Sequence, residues 1–263
     1  MGQVVLLTGG SSGIGLQTAI ALQQAGYDVY EISRNHVQTP GVVHITGDVT
    51  DDESVETAVN KVLQAAGRID ILINNAGFGI SGAVEFTDTQ TAMSQFDVNF
   101  FGMVRMCRAV LPYMRKAGNG KIINLSSVAA TIPIPFQTFY SASKAAINAY
   151  TMALANEVRP YHIHVCAVMP GDIHTHFTTA RKKMVTGDAA YDERLCRSVA
   201  KMEKDERNGM DPKAVAHVLV QIAKKKRTKP LFTIRWDYRL FVLLSKLLPA
   251  RLLNILIYQL YAK

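Results

Sequence analysis

The 263 residues are 48% hydrophobic and 19% charged, a balance that lets one α/β domain bury a large core and excludes a disordered or fibrous chain. Three scattered cysteines, Cys107, Cys166 and Cys196, form no CxxC pair, which excludes a disulfide framework and a thiolate metal site and fits a reducing, cytoplasmic compartment. The net charge of +8 is local: residues 1–200 hold 15 Lys and Arg against 16 Asp and Glu, whereas residues 201–263 hold 14 against 5.

The sequence does not open with a basic stretch, an apolar run and a small-residue cleavage site, and Leu6 stands where a myristoylation signal requires Ser or Thr. No apolar run reaches the roughly 18 residues that span a bilayer. In chain order, Val4 to Thr8 reads as a strand that runs into a glycine-rich turn. A helical pattern through Ile14, Ala19 and Leu22 follows and stops at Gly26. Strands are expected at Val29 to Ile32 and Val42 to Ile45, a helix from Asp51 to Ala66, and a fourth strand at Ile69 to Ile73. One long helix is expected from Thr89 to Arg115, ended by Gly118. A strand at Lys121 to Leu125, a helix from Phe139 to Arg159 stopped by Pro160, and a strand at Ile163 to Val168 complete the regular part. Asp172 to Gly209 reads as a polar, irregular lid, Asp211 to Lys226 as a helix, and Leu231 to Ile234 as a last short strand.

Short apolar strands that alternate with amphipathic helices require parallel pairing with helices on both faces. The expected fold is therefore α/β: a Rossmann-type doubly wound parallel sheet in three αβα layers, one domain over residues 1–235, with a helical tail over 236–263. Such sheets bind ligands beyond the strand C-terminal ends at the switch point.

Thr8-Gly9-Gly10-Ser11-Ser12-Gly13-Ile14-Gly15 joins the first strand to its helix. Glycines let backbone approach a pyrophosphate, and the helix N-terminus offers unpaired N–H groups. Tyr140 and Lys144, four residues apart on one helix, share a face. A neighbouring ammonium is expected to bring the phenol from its ordinary pKa of about 10 toward the working range. His174 and His176 are two apart on a loop with no Cys or acidic partner at ligand spacing, so no metal is expected.

The TGxxxGxG spacing, with Asp48-Val49, Asn74-Asn75-Ala76-Gly77, Asn99, Asn124-Leu125-Ser126-Ser127, Tyr140-Ser141-Ala142-Ser143-Lys144 and Pro170-Gly171-Asp172-Ile173-His174-Thr175 in order, resembles the single-domain short-chain dehydrogenase/reductase family from residue 4 to about 235. The resemblance implies a hydride transfer between nicotinamide and a carbonyl or secondary alcohol, with Tyr140 as the proton-transfer group. Ser127 would hydrogen-bond the substrate oxygen, Lys144 would also bind the nicotinamide ribose, and Asn99 would position a water in a proton relay. It implies cofactor contacts from Thr8, Gly9, Ser11, Ser12, Gly13, Ile14 and Gly15, from Asp48 and Val49 near adenine, and from Asn75, Ala76 and Gly77. Pro170, Gly171, Ile173 and Thr175 would hold the carboxamide.

Ser33 stands where relatives that use NAD carry an acid, and Arg34 follows. A guanidinium welcomes a 2′-phosphate, so NADP(H) is expected over NAD(H). The nearby Glu31 works against that reading.

Apolar residues at Phe78-Gly79-Ile80, Ile132 to Phe136 and Phe177 suit a lipid- or steroid-like substrate and are similar to segments of hydroxysteroid and retinol dehydrogenases. A 3-oxoacyl-thioester reductase and a non-catalytic dinucleotide sensor are the alternatives. The tail, from Trp236, is an apolar stripe broken by Pro249 and punctuated by Lys246, Arg251 and Lys263, with Lys224 to Arg227 upstream. It reads either as helices that cover the pocket or a subunit interface, or as a peripheral membrane contact. No nucleic-acid platform is present. Family relatives pair through their two long helices, so a homodimer or homotetramer is expected.

Overall fold

A computed structural model of the chain describes residues 2–184 and 188–263. Seven parallel strands form the central sheet in the order β3-β2-β1-β4-β6-β7-β9: β1 Val4–Thr8, β2 Asp28–Ser33, β3 Val42–Thr46, β4 Ile71–Asn74, β6 Gly120–Leu125, β7 Ile163–Met169 and β9 Leu231–Thr233. A separate two-stranded pair joins β5 Ile80–Ser81 to β8 Lys182–Lys183. Strands β1, β4 and β6 are buried throughout, as expected of parallel strands covered on both faces.

One face packs on α2 Asp52–Ala66, α4 Gly102–Ala117 and α5 Thr138–Glu157 through residues such as Leu72, Met106 and Ile147. The other packs on α1 Gly13–Gln24 and α8 Pro212–Lys224 through Leu7, Leu22 and Leu219. Helix starts follow local chemistry: Asp51 accepts from the backbone N–H groups of Glu53 and Ser54, and Asp211 from that of Lys213 behind Pro212. The strand order reverses between β1 and β4. There the ends of β1, β4, β6 and β7 lie in one row, with Asn74 opposite Asn124 and Asn124 opposite Ala167.

Two expected elements differ. The long helix from Thr89 is split into α3 Thr89–Phe96, a π-turn at Asp97–Phe101 and α4. The wider turn swings Asn99 into the interior, where both ends of its amide bond the backbone of Phe78. The described residues of the segment from Asp172 to Gly209 are not irregular, and 185–187 lie outside them. The segment holds α6 Phe177–Ala180 and a sixteen-residue helix, α7 Asp192–Arg207. Helix α7 reads as polar because, of its sixteen residues, Leu195, Ser198 and Met202 alone are buried, and one of these is a serine. Its outer faces carry the i,i+4 pairs Arg197–Glu193, Lys201–Asp205 and Arg207–Glu203. Two further helices, α9 Trp236–Leu247 and α10 Ala250–Tyr261, close the chain.

Candidate active site

A cavity of about 1010 Å³ opens along the row of strand ends. At one end lies the glycine turn. Gly13 has φ +54°, in the region that favours glycine, and faces Thr175. Ser12 starts α1 without a side-chain cap, and the first turn of α1 contains no acid. The N–H groups of that turn are therefore free to meet a diphosphate, and the turn fits a dinucleotide. Gly9, Ser11, Ser12, Gly13 and Ile14 line the cavity.

Thr8 and Gly15 do not line it, contrary to expectation. The Thr8 hydroxyl lies behind the turn and accepts from the N–H groups of Asn75 and Ala76 at 3.0 and 3.1 Å. Gly15 packs so closely on the Gly9 carbonyl that an added Cβ would overlap it. Asn75 donates its amide to the Thr8 and Gly9 carbonyls, 3.0 Å each, so it too braces the turn while reaching the cavity with Ala76 and Gly77.

Ser33, Arg34, Asp48 and Val49 line the far end. The carboxylate of Glu31 is buried and committed: it accepts from the Gly10 N–H at 3.1 Å and from Ser33, and pairs with His44. Arg34 is exposed beside it. Asp48 spends one oxygen on Thr50, whose N–H and hydroxyl donate at 2.9 and 2.8 Å.

At the other end, α5 brings Tyr140 and Lys144 to the cavity wall and the end of β6 brings Ser127. Ser127 stands near enough to the Tyr140 hydroxyl to pull its pKa down, and its own hydroxyl accepts from the Ala129 N–H at 3.1 Å. Ser126 instead turns into the core and donates to the Lys144 carbonyl at 3.1 Å. The Lys144 ammonium lies 5.7 Å from the Tyr140 ring centroid and donates to the Leu125 carbonyl at 2.7 Å. Burial pushes the phenol up to about 12, against the lowering pull of Ser127. Burial also brings Lys144 down to about 8. The expectation that the ammonium draws the phenol toward neutrality is thus reversed, because desolvation disfavours the charged form of each group. Tyr140 stays protonated at neutral pH, the state that donates. Asn99 does not reach the cavity; besides Phe78 it donates to the Ser143 hydroxyl at 3.2 Å.

Pro170, Gly171, Ile173 and Thr175 follow β7 along the cavity. Of the expected apolar wall, Phe78, Gly79, Ile132, Ile134 and Phe177 line it, and Phe177 stands 5.6 Å from the Tyr140 ring. Ile80 and Phe136 do not line it; Ile80 is buried in the short strand β5. Two carboxylates in the lining, Asp172 and Glu206, were given no role by the sequence. Asp172 lies in the floor, and its carboxylate accepts from the Tyr238 hydroxyl of α9 at 2.7 Å. Glu206 of α7 pairs with the fully buried Arg181 and accepts from Thr178 at 2.7 Å. Burial raises the pKa of both carboxylates, Tyr238 opposing the shift at Asp172 and Arg181 at Glu206. Phe241, Leu260 and Tyr261 of the tail complete the mouth.

A dinucleotide-sized cleft at the switch point, with Ser127, Tyr140 and Lys144 gathered at one end, defines an oxidoreductase that works with a nicotinamide dinucleotide. The chain belongs to the short-chain dehydrogenase/reductase family: the family profile described as short chain dehydrogenase matches residues 3–186. It is 47% identical over 227 residues to a 3-ketodihydrosphingosine reductase of Bacteroides thetaiotaomicron, covering 85% of this chain and 84% of that protein. It is 33% identical over 245 residues to Dehydrogenase/reductase SDR family member 7B of Xenopus laevis, covering 87% and 73%. Among solved structures, a short-chain dehydrogenase from Streptomyces avermitilis superposes with a TM-score of 0.84 at 29% identity, covering 98% of this chain and 96% of that one.

Proposed function

We propose that the protein reduces the ketone of a long-chain lipid with NADPH, and that the substrate is a sphingoid 2-amino ketone. The observation that carries the reading is the placing of Ser127 and Tyr140 in one cavity with the apolar Ile132, Ile134 and Phe177 and the carboxylate of Asp172. The similarity to the Bacteroides reductase supports the substrate class. A sphingoid ketone carries an ammonium group beside its carbonyl, and the Asp172 carboxylate in the cavity lining offers it an acceptor near Tyr140. The alkyl chain lies along Ile132, Ile134, Phe177 and the tail.

A dinucleotide held by Gly9, Ser11, Ser12, Gly13 and Ile14 would supply the hydride for the carbonyl carbon. Ser127 and Tyr140 donate hydrogen bonds to the carbonyl oxygen, and Tyr140 gives its proton to that oxygen as negative charge develops. Lys144 would hold the nicotinamide ribose, and its positive charge limits the energy of the transient phenolate. Asn99 acts from behind by fixing Phe78 and Ser143. Arg34, exposed at the adenosine end while Glu31 is tied to the loop, favours NADP(H) over NAD(H).

The exposed Met93, Phe101, Tyr113 and Met152 on α3, α4, α5 and the turn between α3 and α4 favour a homodimer or homotetramer through these helices. Among the described residues no helix is long and apolar enough to cross a membrane.

The test is NADPH consumption by the purified protein with four substrates: a sphingoid 2-amino ketone, the same chain without the amine, a 3-oxoacyl thioester and a small polar ketone. The amino ketone is expected to have the highest kcat/KM. A clear preference for the thioester would place the protein with the acyl-thioester reductases; dinucleotide binding without turnover of any ketone would make it a sensor.

A further inference from the structure

Among the described residues, the helical tail carries a large uncovered apolar surface. Along α9, Trp236, Leu240, Leu243, Leu244 and Leu247 recur at helical spacing and are all exposed, Trp236 at 77% and Leu247 at 71%. The opposite face, with Tyr238, Val242 and Ser245, is the one turned toward the body. Helix α10 repeats the arrangement: Leu252, Ile255 and Leu256 face outward, while Leu253, Ile257 and Tyr261 face inward. Each helix therefore buries a narrow stripe and exposes a wider apolar one. Contiguous apolar patches beyond a few hundred Å² are rare on free protein surfaces.

Charge selects the occupant. Arg235, Arg239, Lys246, Arg251 and Lys263 are exposed on this segment, and its one acid, Asp237, is paired with Arg235. The basic run Lys224 to Lys229 takes no part. It precedes β9 and lies at the N-terminal edge of the parallel sheet, opposite the cavity. An apolar stripe bordered by cations matches an anionic phospholipid surface. The same surface runs into the site: Phe241 and Leu260 are exposed at 54% and 57%, yet both line the cavity mouth.

We propose that the outer face of α9 and α10 seats on an anionic bilayer, so that a lipid substrate passes between Phe241 and Leu260 into the cavity without crossing water. The docking stands on the tail alone; the entry route rests on the lipid-ketone reading above. Tyr238, which reaches from α9 to the Asp172 carboxylate and backbone N–H, ties the docked helix to the floor of the site.

The experiment compares the full chain with the variant Leu240→Ser/Leu243→Ser/Leu247→Ser, in which only exposed side chains change. Binding is measured by co-sedimentation with phosphatidylcholine–phosphatidylglycerol vesicles and with phosphatidylcholine vesicles, and oligomeric state by light scattering. The wild type is expected to bind the anionic vesicles at least tenfold more tightly than the variant, and more tightly than neutral vesicles. Turnover of a ketone embedded in the vesicles falls with binding, while turnover of a water-soluble ketone is unchanged. Equal vesicle binding by both proteins overturns the docking. So does a wild type that ignores vesicles but forms a dimer that the variant loses, since a second copy then covers the face. If vesicle binding behaves as expected but no ketone is reduced, the docking stands and the lipid-ketone reading fails.

Discussion

Gly171 is the point where the tail meets the site. Its backbone is not in the left-handed region, so an alanine is conformationally acceptable there and only space is at issue. A Cβ at Gly171 would fall within the ring of Tyr238. In Gly171→Ala the ring must swing away and lose two hydrogen bonds: its hydroxyl donates to Asp172 Oδ2 at 2.7 Å and accepts from the Asp172 N–H at 3.1 Å. At about 1 kcal/mol per bond the loss is about 2 kcal/mol, inside the range of about 1–3 kcal/mol for overpacking. For a chain of this size that lowers Tm by roughly 4–8 °C. The assay is a double-mutant cycle with Tyr238→Ala, read by denaturant unfolding and by KM for the lipid ketone. In the Tyr238→Ala background the alanine should be nearly neutral, for a coupling of more than about 1 kcal/mol. Equal destabilisation by Gly171→Ala in both backgrounds refutes the packing of α9 on the floor of the cavity.

Further outcomes follow from the site. Tyr140, held up to about 12, keeps its proton across the working range, whereas Lys144, brought down to about 8, loses its charge as pH rises through that value. The kcat/KM for reduction should therefore be flat below about pH 7 and fall by tenfold per unit well above about pH 8; a profile level to pH 10 contradicts the lysine assignment. Arg34→Ala should raise KM for NADPH by about 10–100-fold and leave KM for NADH within a few-fold, as expected for loss of a charge-assisted contact. Equal effects on both dinucleotides argue against phosphate recognition. Asp172→Asn should reduce kcat/KM about tenfold for the amino ketone and little for the chain without the amine, and parallel losses would assign Asp172 a purely structural role.

Much of this architecture is legible in the sequence because its strands and helices have different periods. The turn from Thr8 to Gly15 is readable because a strand precedes it and a helix follows. The pair Tyr140 and Lys144 is readable because four residues make one helical turn. Ranking contacts within the turn is harder: Thr8 and Gly15 belong to the motif, but they build the loop from behind instead of facing the cavity. The π-turn at Asp97–Phe101 is hidden because one extra residue hardly disturbs an apolar period over 27 positions. Helix α7 is hidden because ion pairs on its surface stand in for an amphipathic stripe. The phenol's upward shift comes from desolvation, to which residues distant in the chain such as Phe177 of α6, 5.6 Å from the Tyr140 ring, contribute. Asp172 carries no local signal either, since its partner Tyr238 lies 66 residues away.

The central claim is that Tyr140 delivers the proton beside a dinucleotide held by the opening turn. Its most direct test is Tyr140→Phe, assayed for reduction of the lipid ketone and titrated with NADPH by fluorescence. The account predicts NADPH affinity within a few-fold of wild type and turnover reduced by at least about 10²–10⁴-fold, the contribution of general acid catalysis. Near-native turnover by this variant would contradict it.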